Sequence, residues 1–156
     1  MRNGLTPCLW FDDDADAAVD FYVATFDDSR VVAKSHYGEG AHRPAGSTMT
    51  IEFELRGKPF MCIQGGPMFK LSEAFSMVVD CDSQEEIDRL WDALGEGGEI
   101  QACGWLKDRF GLSWQIVPSE LADWMTGPQE RADRVMAALQ GMVKLDVAAL
   151  RAAAEG

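Results

Sequence analysis

The side chains best suited to moving a proton near neutral pH are His36, His42 and Glu52. The histidines stand around a glycine-rich stretch, residues 38–46, that reads as a mobile loop. Swung together they would form an acid–base pair; left apart they are two surface residues. Glu52 shares one side of an alternating segment with Thr48 and Thr50. In a closed groove such a carboxylate serves as a general base, whereas on a solvated strand it does not. Cys62 is the central candidate nucleophile, but a thiolate needs a cation to lower its pKa. No His or Lys adjoins it in sequence, which favours a small buried thiol. The run Asp12-Asp13-Asp14-Ala15-Asp16 gathers carboxylates without the glycine and distal glutamate of an EF-hand loop, so helix capping is the reading here. Cys8, Cys62, Cys81 and Cys103 lie far apart and form no Cys-x-x-Cys pair, which excludes a zinc knuckle and a thioredoxin motif.

These residues must be held by regular elements, and the chain repeats its elements. Residues 9–26 read LWFDDDADAAVDFYVATF and residues 77–94 read MVVDCDSQEEIDRLWDAL. Asp12, Asp14 and Asp20 match Asp80, Asp82 and Asp88. The apolar pairs are Leu9/Met77, Trp10/Val78, Phe11/Val79, Val19/Ile87, Tyr22/Leu90 and Phe26/Leu94. Each copy is an apolar run, an acidic turn and an amphipathic helix. In the second helix Ile87, Leu90, Trp91 and Leu94 fall on one face. Asp14 and Asp82 are the expected N-caps, and residues 95–98 (GEGG) stop the second helix. Strands follow each helix: residues 30–37, 48–55 and 60–64 after the first, and residues 99–103, 105–107 and 113–117 after the second. The expected order is β-α-β-β-β, twice. From Pro118 onward the periodicity is helical, with Leu121, Trp124 and Met125, then Val135, Leu139, Met142 and Val143, then Val147 and Leu150. This tail is either a packed appendage or a dimerisation arm. The expected division is residues 1–66, 67–118 and 119–156.

The 156 residues can bury about 68–70% of their unfolded surface, enough for a self-sufficient core. With 26 acidic against 14 basic residues the formal net charge is -12, a field that repels phosphate backbones and anionic bilayers. Nucleic acid and membrane are therefore not expected partners. No apolar run approaches the ~20 residues of a membrane span. Met1-Arg2-Asn3-Gly4 carries no signal-peptide core, so a cytoplasmic location with reduced thiols is the expectation.

The βαβββ repeat resembles the glyoxalase/bleomycin-resistance, or vicinal oxygen chelate, superfamily. Particular segments resemble its PhnB-like branch: residues 6–11 (TPCLWF) with Ala15, Ala18-Val19-Asp20-Phe21-Tyr22, residues 55–61 (LRGKPFM), residues 104–118 (GWLKDRFGLSWQIVP) and residues 144–150 (KLDVAAL). The resemblance covers about residues 5–150, and the Gly104–Pro118 segment carries it most specifically. That branch is often labelled 3-demethylubiquinone-9 3-methyltransferase. A methyl-donor site of the usual kind needs a glycine-rich turn from strand to helix, and the glycine cluster here follows a helix.

The resemblance implies an α+β fold: two tandem βαβββ modules, each a curled sheet closing around a groove, followed here by a C-terminal helical extension. It also implies dimers or fused pairs of sheets. Metal-bearing members hold a divalent ion with His, Glu or Gln on four groove-facing strand positions. With Leu5, Leu9 and Phe11 set towards a helix, alternation places Thr6, Cys8 and Trp10 in the groove. The same parity places Phe60, Cys62 and Gln64 there, then Ser76 and Val78, then Ser113, Gln115 and Val117. The metal positions would then fall near Thr6 or Cys8, Cys62, Ser76 and Gln115, with no histidine or carboxylate among them, so no metal or other cofactor is expected. Trp10, Phe60, Cys62, Gln64, Ser76 and Gln115 are the expected ligand-binding residues, with Glu52 and Gln115 as the candidates for chemistry. Trp114 shares parity with Ile116 and should pack on a helix. The expectation is a metal-free homodimer that binds a small, flat or partly apolar molecule. The alternatives are a metal-dependent enzyme of glyoxalase, isomerase or dioxygenase type, and a methyltransferase.

Overall fold

The computed structural model describes residues 4–156. The chain divides into two compact units, Met1–Leu71 and Ser72–Gly156.

The first unit is β1 (Cys8–Phe11), α1 (Ala15–Thr25), β2 (Arg30–His36), β3 (Thr48–Leu55) and β4 (Lys58–Gln64). Its sheet has the order β1-β4-β3-β2, with β1 and β4 parallel and the other pairs antiparallel. The β3–β4 hairpin turns on Arg56 and Gly57, both at positive φ (47° and 68°), the two-residue geometry that follows the twist of the strands. Helix α1 buries Ala15, Ala18, Val19 and Tyr22 against the sheet. Asp14 occupies the cap position but makes no side-chain cap bond. The first helical N–H, that of Ala15, instead donates to Gln64 Oε1 at 3.1 Å, so the cap is supplied from β4.

The second unit repeats the plan with β5 (Ser76–Cys81), α2 (Gln84–Gly95), β6 (Glu99–Ile100), β7 (Trp105–Lys107) and β8 (Ser113–Pro118), in the order β5-β8-β7-β6. Again the first and last strands pair in parallel. The expected face of α2, Ile87, Leu90, Trp91 and Leu94, is the buried one. Its cap is Ser83 instead of Asp82. Ser83 Oγ accepts from the Glu86 N–H at 3.1 Å, and the Glu86 carboxylate reaches back to the Asp82 N–H at 2.9 Å. β6 is shorter than expected because Cys103 and Gly104 take positive φ (61° and 80°). Their N–H groups are bonded to the carbonyls of Met142 and Val143, both at 2.8 Å.

Helices α3 (Leu121–Met125), α4 (Gln129–Gln140) and α5 (Val147–Glu155) follow. They are not a separate unit. Val117, at the end of β8, is buried with Trp124, Val135, Leu145, Leu150 and Ala154 in one apolar cluster. Gln84 ties them to the second module, donating to the Leu145 carbonyl (3.1 Å) and accepting from the Val147 N–H (2.9 Å). No helix among the described residues is long and apolar enough to cross a membrane.

Candidate functional site

In each unit one helix covers one face of the sheet and leaves the other face open, so pairing register decides which side chains can meet a ligand. In the first unit Leu9 stands beside Cys62, Cys62 beside Ile51, and Phe60 beside Phe53. These are the buried, helix-covered residues. Cys8 stands beside Met61, Met61 beside Glu52, and Trp10 beside Ile63, which neighbours Thr50. This second set makes the open face.

Phe60, Cys62 and Gln64 are therefore not on the side of Trp10, where parity had placed them. Alternation fixes facing only within a strand, and the phase between strands comes from the register. Here the register sets Cys8 against Met61, so Met61 and Ile63 share its face in place of Phe60, Cys62 and Gln64. Phe60 stacks on Phe53 with centroids 5.7 Å apart. Gln64 caps α1, and its carbonyl accepts from the Tyr37 hydroxyl at 2.8 Å. Cys62 has no exposed surface. Burial in this apolar setting pushes its thiol up to about 12, so at neutral pH it is protonated core material and not a nucleophile.

Trp10 does occupy the open face, and it is immobilised there. Its Nε1–H donates to the Gly66 carbonyl at 2.8 Å. Its ring meets Phe69 edge-on with centroids 4.9 Å apart. The ring lies directly over Gly65, where a Cβ would come within 2.2 Å of Cζ2. Glu52 stands on the same face, half-buried, and lines a cleft of about 250 Å³ with Gly4, Leu5, Thr6, Val32, Phe53, Glu54, Pro59 and Phe60, so that Phe60, though buried, borders this cleft. Glu54 is held by Arg30 at 2.9 Å.

The histidines are not brought to this face as a pair. His36 ends β2 exposed, and the His42 ring packs edge-on against Tyr37 with centroids 5.1 Å apart. The glycine-rich loop has anchors that a mobile segment would lack. Tyr37 and residues 46–47 close its base through backbone bonds of 2.8 and 2.9 Å. Arg43 reaches from its middle to the Asp12 carbonyl at 3.1 Å and to the Asp13 carboxylate. With Asp13 bound to Arg43, and Asp16 to Lys34 at 2.6 Å, the acidic run is occupied by internal ion pairs.

In the second unit parity and register agree. Trp114 and Ile116 are buried beneath α2, while Ser76 and Gln115 lie on the opposite face and are bonded, Gln115 Nε2 to Ser76 Oγ at 2.9 Å. Val117, expected in the groove, is instead enclosed by the C-terminal helices. Lys107 is held on this side by Glu73 and, at 3.7 Å, by Glu99.

Asp108, read from sequence only as part of a turn, is a buried carboxylate. Its Oδ1 accepts from the N–H groups of Phe110 (2.8 Å) and Leu112 (3.1 Å), and its Oδ2 accepts from Trp114 Nε1 at 2.8 Å. It thus shapes the β7–β8 hairpin and aims Trp114 into the core. The signal was present in the Asp108–Trp114 spacing, but only the hairpin geometry joins the two ends.

A divalent metal would need three or more ligating side chains at one point. Among the described residues no three His, Cys, Asp or Glu side chains come together. The positions expected to match the family's ligand set hold Cys8 or Thr6, the core thiol Cys62, and the mutually bonded Ser76 and Gln115. This donor set does not fit the ion.

Comparison with known proteins agrees with this architecture. Residues 3–117 match the family model described as 3-demethylubiquinone-9 3-methyltransferase. Among solved structures, a PhnB protein of Bacillus cereus carrying that same description is 33% identical, with a TM-score of 0.69 over 74% of this chain and 99% of that one. A protein of Pseudomonas aeruginosa is 23% identical, with a TM-score of 0.61 over 74% and 96%. The fosfomycin resistance protein FosX of Mesorhizobium loti is 16% identical, with a TM-score of 0.56 over 81% and 100%. The last two likenesses concern the fold. No curated protein matches the chain.

Proposed function

Given that this chain belongs to the 3-demethylubiquinone-9 3-methyltransferase family, in the PhnB-like branch of the vicinal oxygen chelate superfamily, we propose that it is a metal-free homodimer that binds a small, partly apolar molecule on the open faces of its sheets. The observation that carries this reading is the seating of Trp10. An indole fixed over Gly65, bonded to Gly66 and flanked by Phe69 is a preorganised aromatic surface, and it needs no reordering to receive a flat ligand. Glu52 lies on the same face and is the first candidate for acid–base work; Ser76 and Gln115 offer polar fixing points on the second sheet. Four free cysteines suit a reducing cytoplasm.

Methyl transfer finds little support in the geometry. Among the described residues the three turns from strand to helix are Asp12-Asp13-Asp14, Asp82-Ser83 and Ser119-Glu120, and none contains the glycines of a methyl-donor loop.

The test is bound metal in protein purified without a histidine tag or chelator, followed by titration with small aromatic compounds. The expected result is no stoichiometric metal, even after soaking with nickel, zinc, manganese and iron, together with a ligand-induced shift of the Trp10 indole resonance. A stoichiometric metal would overturn the reading in favour of a glyoxalase-like enzyme. Tight binding of a methyl donor would overturn it in favour of the activity in the family description.

A further inference from the structure

The loop between β2 and β3 is fastened to the segment that seats Trp10. The Tyr37 hydroxyl, at the base of the loop, donates to the Gln64 carbonyl at 2.8 Å. Arg43, from the middle of the loop, donates through Nη1 to the Asp12 carbonyl at 3.1 Å and through Nη2 to the Asp13 carboxylate. The same Asp12 carbonyl accepts the Gly66 N–H at 3.2 Å, and the Phe11 carbonyl accepts the Gly65 N–H at 3.0 Å. The Gly66 carbonyl then accepts the Trp10 indole N–H at 2.8 Å, with the ring lying over Gly65. An unbroken series of contacts therefore runs from Arg43 through Asp12 and Gly66 to the indole, all within the first unit.

The guanidinium is built into this place. Its side chain is 16% exposed, against 76% for Asp13. An ideal Cβ on Gly66 would stand 3.5 Å from Arg43 Nη1, so the guanidinium lies in contact range of that glycine. Its Nε–H is buried and finds no partner among the described residues, so the two Nη groups alone hold it. The ion pair with the exposed Asp13 contributes little by itself. What the planar fork adds is direction: two donors fixed in one plane set the Asp12 carbonyl and the Asp13 carboxylate together, which a single ammonium does not do.

We propose that Arg43 is a positioning residue for the aromatic surface: it clasps the β2–β3 loop to the ends of β1 and β4, and so holds Gly65, Gly66 and the Trp10 indole in the orientation that a flat ligand meets. The role rests on the reading that Trp10 receives a small molecule. A ring set in place beforehand loses less freedom on binding. Without the clasp the Asp12 carbonyl keeps one donor, and residues 64–66 can open locally while the sheet beneath α1 stays folded.

The test is hydrogen exchange of the Trp10 indole N–H in the full chain, followed in nitrogen–proton correlation spectra and assigned with Trp10→Val. The backbone amides of Ile51 and Phe53, buried in β3 of the same unit, report unfolding of the sheet itself. Arg43→Ala is expected to speed exchange at the indole about tenfold, the effect of one charge-assisted hydrogen bond, with Ile51 and Phe53 unchanged. Arg43→Lys should fall between parent and Arg43→Ala, and Asp13→Asn should speed exchange only about twofold. An unchanged indole in Arg43→Ala, or equal acceleration at Ile51 and Phe53, would overturn the proposal. Phenol and unlabelled indole, titrated into the parent, test the binding reading separately, and each is expected to move the Trp10 signal. A shift there with unchanged exchange in Arg43→Ala would overturn the role of Arg43 alone. Silence towards both compounds would remove the binding reading at Trp10 and the role of Arg43 with it.

Discussion

Trp10 can be tested as a fixed surface by filling the space beneath it. An ideal Cβ on Gly65 would stand 2.2, 2.3 and 2.8 Å from Cζ2, Cη2 and Cε2 of the indole. Comfortable carbon contacts begin near ~3.5 Å, so Gly65→Ala must push the ring aside by more than about 1 Å. That displacement takes the ring off the Gly66 carbonyl, a bond contributing about 0.5–1.5 kcal/mol, and overpacking adds about 1–3 kcal/mol. Gly65 has no positive φ, so alanine brings no backbone strain there. It also restricts the unfolded chain, a gain of about 0.4–1 kcal/mol. The net expected loss is about 1–3 kcal/mol. With Trp10→Val the obstruction is gone, and the same Gly65→Ala change should be neutral or slightly stabilising. The assay is a double-mutant cycle by urea unfolding followed by far-ultraviolet circular dichroism, which does not depend on the tryptophan removed. A coupling of about 2 kcal/mol or more is expected. Equal costs in the two backgrounds, within about 0.5 kcal/mol, would refute the idea that Gly65 exists to seat the indole.

Two further outcomes follow from buried groups. Asp108→Ala strands two buried donors, the Leu112 N–H and the Trp114 indole N–H, at about 1–3 kcal/mol each. It should cost about 3–5 kcal/mol in urea unfolding, and a loss below 1 kcal/mol would show that water replaces the carboxylate. Cys62 is held above its ordinary value of 9.0, to about 12, chiefly by burial. Its contribution to stability is therefore complete below pH ~9 and is lost as pH rises towards 12, because the unfolded chain releases the proton first. At pH 8 a disulfide reagent should modify the exposed Cys8 quickly and Cys62 only on unfolding. Equal rates for both thiols would contradict the packing.

The sequence alone determined most of the local order. The repeat of apolar run, acidic turn and amphipathic helix named both βαβββ modules, and Ile87, Leu90, Trp91 and Leu94 are buried as their spacing requires. Strand residues 48–55 and 105–107 fall where alternation and turn residues put them. These succeed because periodicity is a property of one segment and its single buried face. Ser76 and Gln115 each face away from α2, as alternation within β5 and within β8 sets them, and the pairing of the two strands brings them to one face.

What only the tertiary structure decided concerns relations between segments. A parallel pairing that sets Cys8 beside Met61 turned Cys62 and Gln64 under the helix, and no feature of either strand alone encodes that offset. Gln64 caps a helix distant in sequence, Gly65 makes room for Trp10, and Asp108 binds an indole across a hairpin. The C-terminal segment takes the N–H groups of Cys103 and Gly104 and encloses Val117, shortening one strand and closing one end of the second sheet. Each is a contact between residues whose types are ordinary in isolation. Their meaning is set by distances in the fold, where a hydrogen bond or a clash is decided within an ångström.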